Sequence, residues 1–214
     1  MDDHPVLRQG LKQILDLQPN LRVCCEAETG PEALELIVRE APDLVLIDLS
    51  LRGGDGIDLV KDIKALRPQT RMLVLSMHDE FIYAERVLRA GAQGYVMKHE
   101  KIEHLLAAIA KVLDGGVYVS DKVAARLIQR VASSGSRADA VGSTVDRLTD
   151  RELQVFRLIG EGLGTRLIAE KLGVSRKTVE SHREHIKEKL MLTSGEELIQ
   201  RAVQWARNPG DRKK

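Results

Sequence analysis

The sequence predicts an α/β fold with a doubly wound parallel sheet in its first part and a smaller all-α domain in its second. Three short apolar runs, each ending on one polar residue, indicate strands that stop at Asp48, Ser76 and Lys98. Because stretches of helical periodicity separate these runs, the strands are expected to be parallel, with helices as crossovers. Beyond residue 148 the apolar spacing is only helical, which predicts a separate bundle.

The elements of the α/β part follow from proline, glycine and apolar spacing. A helix is predicted from Pro5, a strand over residues 21–27, and a second helix from Pro31 to the residue before Pro42. Gly91 is typical of the end of a later helix. Apolar residues at helical spacing place three further helices, around Ile57, Val60, Ile63 and Leu66, around Ile82, Val87 and Leu88, and around Ile102, Leu105, Ile109 and Leu113. Four strands are therefore expected.

A change of composition divides the chain. The α/β domain is predicted over residues 1–117, and a connecting helix capped by Ser120 opens a linking region over 118–147. This region ends in a stretch of low hydrophobicity that is rich in serine and glycine. A helical domain is predicted over residues 148–208, before a polar tail at 209–214.

Capping patterns define the helical domain. Thr149 with Glu152, and Ser194 with Glu197, have the spacing of capping boxes and mark its first and last helices. Between these helices, Gly173 indicates a tight turn that joins two further helices.

Charge is distributed unevenly, although the whole chain carries only +1. Up to Ala132 there are 17 basic and 20 acidic residues, and beyond it there are 16 and 12. Charge alone is equally compatible with scattered surface groups and with nucleic-acid binding. No apolar run is long enough to cross a bilayer and the first residues are acidic, so we expect a cytoplasmic protein without a membrane segment.

The polar residues at the strand ends indicate a metal and phosphoryl site. In a parallel α/β sheet, ligand chemistry gathers at the carboxyl ends of the strands, so Asp48, Ser76 and Lys98 are expected at one edge. Asp2 and Asp3 stand just before the first predicted helix, which places two more carboxylates at this edge. Carboxylates bind Mg²⁺, whereas a hydroxyl and an ammonium can contact phosphoryl oxygens.

Residues 2–117 resemble the receiver domain of bacterial two-component response regulators, which has a flavodoxin-like fold. The matching residues, in order, are Asp2, Asp3, Asp48, Ser76, Tyr95 and Lys98. The resemblance implies that Asp48 accepts a phosphoryl group from a phosphohistidine of a sensor histidine kinase. It also implies that Asp3, Asp48 and the backbone carbonyl of Ser50 hold Mg²⁺, with Asp2 assisting through a water.

The same resemblance implies a switch. Lys98 is expected to pair with the carboxylates and then with the phosphoryl oxygens. Ser76 is expected to form a hydrogen bond with the phosphoryl group, and the ring of Tyr95 to turn into the space that Ser76 leaves. A local change of charge would thereby become a change of surface.

The start of the sequence departs from the receiver pattern. The chain begins where the first strand of the family ends, so the mid-sheet strand of the order 2-1-3-4-5 is missing. Either the true start lies upstream, which we favour because the other site residues are complete, or the receiver is compromised. In the second case the protein would be a phosphorylation-independent DNA-binding regulator.

Residues 148–206 resemble the LuxR-type helix-turn-helix domain. The resemblance rests on Leu148-Thr149-Asp150-Arg151-Glu152, on Ile168-Ala169 and on the stretch from Ser175 to His182. A receiver followed by this domain is the NarL/FixJ type of response regulator. The recognition helix is expected to begin after Ser175, to end near Leu190 and to enter the major groove.

The resemblance also implies which residues contact DNA. Glu180, Ser181 and Glu184 match base-facing positions, and Thr165 and Arg166 match positions that contact the DNA backbone. The remaining candidates on the recognition helix are Thr178 and the basic residues Arg176, Lys177, Arg183, Lys187 and Lys189, which can meet phosphates. In this family the last helix also serves dimerisation, so a homodimer is expected on phosphorylation.

An enzyme is the competing function class. An aspartyl-phosphate hydrolase also uses an Asp at a strand end, Mg²⁺ and a Lys, but it needs a further acid two residues after its nucleophile. Here that residue is Ser50. The expected function is therefore a phosphorylation-controlled DNA-binding transcription regulator and not an enzyme.

Overall fold

The computed structural model describes residues 1–51, 55–133 and 144–207. The chain divides into two compact units, Met1–Ala132 and Ser133–Lys214. The tail expected at 209–214, and residues 134–143 of the expected linker, lie outside the described residues.

A parallel sheet forms the centre of the first unit. In the described residues it has three strands in the order β1-β2-β3, which are Leu44–Ile47, Arg71–Ser76 and Gly94–Met97. Leu46 lies opposite Leu73, and Leu73 lies opposite Gly94. The middle strand is apolar because both of its faces are covered. These are the three strands predicted from the polar strand ends.

The first unit has six helices in the described residues. They are α1 (Pro5–Asp16), α2 (Gly30–Glu40), α3 (Gly56–Leu66), α4 (Glu80–Ala90), α5 (Ile102–Leu113) and α6 (Asp121–Ser133). On one side, Leu15 of α1 and Ile109 of α5 pack with Leu73, Leu75 and Val96 of the strands. On the other side α2, α3 and α4 contact one another in turn, and α4 packs against β3. The predicted α/β architecture is confirmed.

The strand predicted over residues 21–27 does not form. A strand needs a hydrogen-bonded neighbour, and the space between this segment and β1 is a cavity of about 460 Å³ along most of its length. At one end of this cavity, the first residues of the chain form hydrogen bonds with both sides. There the amide of Asp2 donates to the carbonyl of Ala27 (3.3 Å), and the α-amino group of Met1 donates to the carbonyl of Leu46 (3.0 Å).

The second unit consists of helices. After a short 3₁₀ turn at Thr144–Arg147 come α7 (Asp150–Gly160), α8 (Thr165–Leu172), α9 (Arg176–Leu190) and α10 (Gly195–Arg207). The turn between α8 and α9 uses Gly173 in the left-handed conformation (φ 64°). Val179 and Ile186 lie on the inner face of α9 and are fully buried. This is the predicted helix-turn-helix arrangement.

Of the two predicted capping boxes, only the first is complete. The hydroxyl of Thr149 accepts the amide of Glu152, whose carboxylate accepts the amide of Thr149 at 2.8 Å. At the last helix Ser194 accepts the amide of Glu197 (3.1 Å), but the Glu197 carboxylate turns to Thr193. The Glu197 carboxylate accepts both the amide and the hydroxyl of Thr193, and these two hydrogen bonds take the place of the bond that would complete the capping box.

Candidate functional site

Three side chains converge at the carboxyl ends of the strands. The Lys98 ammonium lies 2.6 Å from Asp2 Oδ2 and 2.7 Å from Asp48 Oδ2. Asp48 follows β1 and Lys98 follows β3, so the parallel sheet places both at the same edge. The three side chains are 4%, 1% and 7% exposed for Asp2, Asp48 and Lys98. This is a buried ion triad with net charge −1, which a further cation would complement.

Hydrogen bonding outweighs burial in setting the pKa values of Asp2 and Lys98. Burial acts to raise the pKa of Asp2, but hydrogen bonds from Lys98 and from the amide of His4 lower it overall. Burial acts to lower the pKa of Lys98, but its hydrogen bonds to Asp2 and Asp48 raise it overall. The carboxylate and ammonium forms therefore stabilise each other.

The start of the chain is tied into the sheet. Besides the bonds to Ala27 and Leu46, the amide of Asp48 donates to the carbonyl of Met1 (3.1 Å). Arg8 Nη1 donates to the Asp2 carbonyl at 2.6 Å. Burial lowers the pKa of the α-amino group of Met1. These contacts fix Asp2 beside Asp48.

The acidic cluster has the chemistry of a metal site. Ligand atoms of Asp2, Asp3, His4 and Asp48 all lie within 4.8 Å of one another. Three carboxylates suit a divalent cation that prefers oxygen ligands, so these residues fit the metal that the receiver resemblance implies. Sequence reasoning missed His4, although its position directly after the two acids was the available signal.

Ser50 and Ser76 lie in the loops beside Asp48. The amide of Ser50 donates to Asp48 Oδ1 (3.1 Å), and its hydroxyl lies 3.1 Å from Nε2 of His78. The hydroxyl of Ser76 accepts the amide of His78 (3.1 Å). His78, which the sequence analysis did not single out, therefore links the loops after β1 and β2.

Tyr95 belongs to the same hydrogen-bonded network. Its buried hydroxyl donates to the carbonyl of His78 at 2.6 Å. Burial raises the pKa of Tyr95 strongly, and a hydrogen bond from Ser76 opposes that rise. Ser76 and Tyr95 therefore both form hydrogen bonds with the backbone of His78, in the loop after β2.

The outer face of α9 carries polar residues. Those most open to solvent are Arg176, Lys177, Thr178, Glu180, Ser181 and Glu184, whereas Arg183 and Lys187 are half-buried. Ser181 donates its hydroxyl to the carbonyl of Lys177 (3.1 Å), and Lys187 pairs with Glu184 at 2.8 Å. On α8, exposed Arg166 lies 3.5 Å from Glu170, and Thr165 is half-buried at the start of the helix.

Lys189 does not belong to this face. Its ammonium lies 2.6 Å from the buried carboxylate of Glu152 on α7. Burial acts to raise the pKa of Glu152, but hydrogen bonds from Lys189 and Thr149 lower it. The expectation that Lys189 meets phosphates is therefore corrected, because it joins α9 to α7.

Comparisons with known proteins decide the family. Residues 1–110 match the family model of the response regulator receiver domain, and residues 146–202 match that of bacterial regulatory proteins of the luxR family. This chain belongs to the response regulators. As in other members with a helix-turn-helix domain, the response regulator is a DNA-binding transcription factor and not an enzyme.

Several known proteins are similar to this response regulator over almost its whole length. The oxygen regulatory protein NreC of Staphylococcus carnosus is 38% identical over 204 residues, which are 94% of each chain. The NreC protein of Staphylococcus aureus is 40% identical over 206 residues, with the same coverage. RcsB from Salmonella enterica serovar Typhimurium, solved on the promoter rprA with the phosphomimetic BeF₃⁻, is 27% identical with a TM-score of 0.66, over 94% of this chain and 95% of that one.

Across the described ranges, no helix is both long enough and apolar enough to span a membrane.

Proposed function

We propose that this response regulator binds DNA under the control of phosphorylation at Asp48. The observation that carries the proposal is the buried contact of Asp48 with Lys98 beside Asp2, at the carboxyl end of the sheet. The partners implied are a sensor histidine kinase as phosphoryl donor and double-stranded DNA as target. We further propose that the protein works in the cytoplasm, where both partners are accessible.

The chemistry is a phosphoryl transfer. A bond forms between a carboxylate oxygen of Asp48 and phosphorus while the bond from phosphorus to the kinase histidine nitrogen breaks. Asp3, Asp48 and the carbonyl of Ser50, with Asp2 nearby, would hold Mg²⁺, whose charge would neutralise part of the negative charge on the transferring group. The Ser50 amide orients one Asp48 oxygen and Lys98 holds the other.

The switch follows from the hydroxyl of Ser76. In the unmodified protein this hydroxyl accepts the amide of His78, and the carbonyl of His78 accepts the hydroxyl of Tyr95. A phosphoryl oxygen on Asp48 can accept the single hydroxyl proton of Ser76, which draws this side chain toward Asp48 and lets the ring of Tyr95 turn into the space it leaves. Because Tyr95 also holds the His78 carbonyl, its movement changes the loop that leads into α4.

DNA contact is assigned to the exposed polar face of α9 and the start of α8. Arg176, Lys177, Arg183, Lys187 and Arg166 supply cations for phosphates. Glu180, Ser181 and Glu184 face the bases, where a carboxylate can accept the amino group of cytosine. Thr165 and Thr178 lie at the first turns of their helices, near the phosphate-facing ends. Phosphorylated protomers would pair and occupy two half-sites.

The test compares the wild-type protein with Asp48→Asn. Each is incubated with Mg²⁺ and acetyl phosphate, and the genomic DNA fragments that it retains are counted and sequenced. The wild type should retain a defined set of fragments more strongly after phosphorylation, and Asp48→Asn should retain only the basal amount. Equal stimulation of both proteins would refute the proposal.

A further inference from the structure

The imidazole of His4 lies at the solvent-exposed rim of the acidic cluster, with its side chain 67% exposed. Its Nδ1 is 2.8 Å from Asp3 Oδ1 and 3.2 Å from Asp2 Oδ1. His4 precedes α1, yet its side chain makes no capping hydrogen bond to that helix within the described residues. The backbone amide of His4 donates to Asp2 Oδ1 at 2.9 Å, and this hydrogen bond holds His4 beside the two acids.

Lys98 and His4 approach different oxygen atoms of Asp2. Lys98 contacts Oδ2 of both Asp2 and Asp48, whereas His4 Nδ1 lies beside Oδ1 of Asp2. A cation that enters here would meet oxygen atoms from the acids and a nitrogen atom from His4. The four residues offer one ligand atom each, all within 4.8 Å of one another.

The distances suit neighbouring ligands of one ion. In an octahedral site with bonds of about 2.1 Å, adjacent ligand atoms are about 3.0 Å apart. The two distances from His4 Nδ1 lie on either side of that value. They also suit hydrogen bonds from a protonated Nδ1, so the ligand function requires the neutral imidazole with its lone pair directed to the ion.

The ligand types determine which ions gain from His4. Mg²⁺ prefers an all-oxygen shell, whereas imidazole favours ions such as Co²⁺, Ni²⁺ and Zn²⁺. We propose that His4 is a nitrogen ligand of the receiver metal site and shifts its preference from Mg²⁺ toward divalent transition-metal ions. The inference rests on the metal site of the proposed function.

Co²⁺ is the probe, because its visible absorption reports nitrogen ligands and does not depend on phosphotransfer. The full-length wild type, His4→Gln and the control His104→Gln are titrated with Co²⁺ and, separately, with Mg²⁺. His104 lies on α5 beside Glu100, outside the cluster. His4→Gln should weaken Co²⁺ binding about tenfold or more and change its absorption bands, while Mg²⁺ affinity stays within about twofold. His104→Gln should behave as the wild type.

Two outcomes would overturn the inference. One is an unchanged Co²⁺ affinity and spectrum in His4→Gln. The other is Co²⁺ absorption that survives in Asp48→Asn, because the ion would then be bound elsewhere. If instead the wild type binds neither Mg²⁺ nor Co²⁺ at Asp48, the metal site of the proposed function fails and the inference fails with it.

Discussion

At the scale of single residues, Lys98 connects the two acids that the site requires. Its ammonium is the counter-charge of Asp2 and Asp48, and all three side chains are almost fully buried. Removing one partner of a buried ion pair is costly, because the other charge stays buried without compensation. A cation in the acidic cluster can replace part of that compensation.

Lys98→Met should therefore lower the free energy of unfolding of the first unit by about 3 kcal/mol without a divalent cation. Added Mg²⁺ should increase the stability of the variant more than that of the wild type. In the variant the Lys98 ammonium is absent and no longer competes with Mg²⁺ for the carboxylates. Hydrogen exchange of the β1 amides measures both effects. The control Lys12→Met removes an exposed pair with Asp16 and should change the free energy of unfolding far less than Lys98→Met. If Lys98→Met is as stable as this control, the buried charges of Asp2, Asp48 and Lys98 do not compensate one another.

His182 makes the second unit sensitive to acid. Burial lowers the pKa of His182, and Arg151 and His185 act in the same direction against the opposing charge of Glu152. Its Nδ1 is buried and has no hydrogen-bond partner among the described residues. The neutral form is therefore the one that fits the fold. Its contribution to stability is present above the unfolded pKa and is lost as the pH falls from there through the lower folded pKa.

We expect the unfolding free energy of the second unit to fall between pH 7 and pH 5, with a smaller fall in His182→Asn. The fluorescence of Trp205 reports this unfolding, because Trp205 is the only tryptophan of the chain and its ring lies 5.5 Å from that of Phe156. The matched variant His185→Asn alters a more exposed imidazole. If His182→Asn keeps the full pH dependence, His182 is not its source.

At the scale of elements, the close approach of α7 and α10 depends on Gly160. A Cβ at this position would lie 2.5 Å from the carbonyl oxygen of Ala202 on α10. That oxygen belongs to the backbone, so the helices would have to move apart. The contact buries Ala202 and brings α10 against the first helix of the DNA-binding unit.

Gly160→Ala should destabilise the second unit by about 1–3 kcal/mol, as overpacking does in well-packed cores. Gly195→Ala is the control, because the nearest atom to its Cβ would be the end of the Arg183 side chain at 3.9 Å. Denaturant titration followed by Trp205 fluorescence compares the two. Equal midpoints for both variants would show that α7 and α10 tolerate a wider separation.

The sequence was sufficient to predict most helices and strands. It was insufficient where a feature depends on a contact with another part of the chain. The strand ends at Asp48, Ser76 and Lys98 were visible because an apolar run and a polar residue are both local signals. Residues 21–27 also have the local pattern of a strand, but no pattern within a segment shows whether a neighbouring strand is there to pair with it. The contacts of Lys189 and His78 cross between elements, so they too required coordinates.

At the scale of the whole molecule, the response regulator joins two compact units with different chemistry. The first concentrates acidic groups at a sheet edge, and the second exposes cations on α9. We expect the occupancy of Asp48 by a phosphoryl group to set how tightly the second unit binds DNA.

The most direct test measures both quantities on the same samples of the full-length protein. Acetyl phosphate is varied in the presence of Mg²⁺, the phosphorylated fraction is determined by intact mass, and DNA affinity is measured at constant salt on a fragment recovered from the genomic selection. Affinity should rise as the phosphorylated fraction rises. An affinity that stays constant while the protein becomes fully phosphorylated would contradict control by phosphorylation at Asp48.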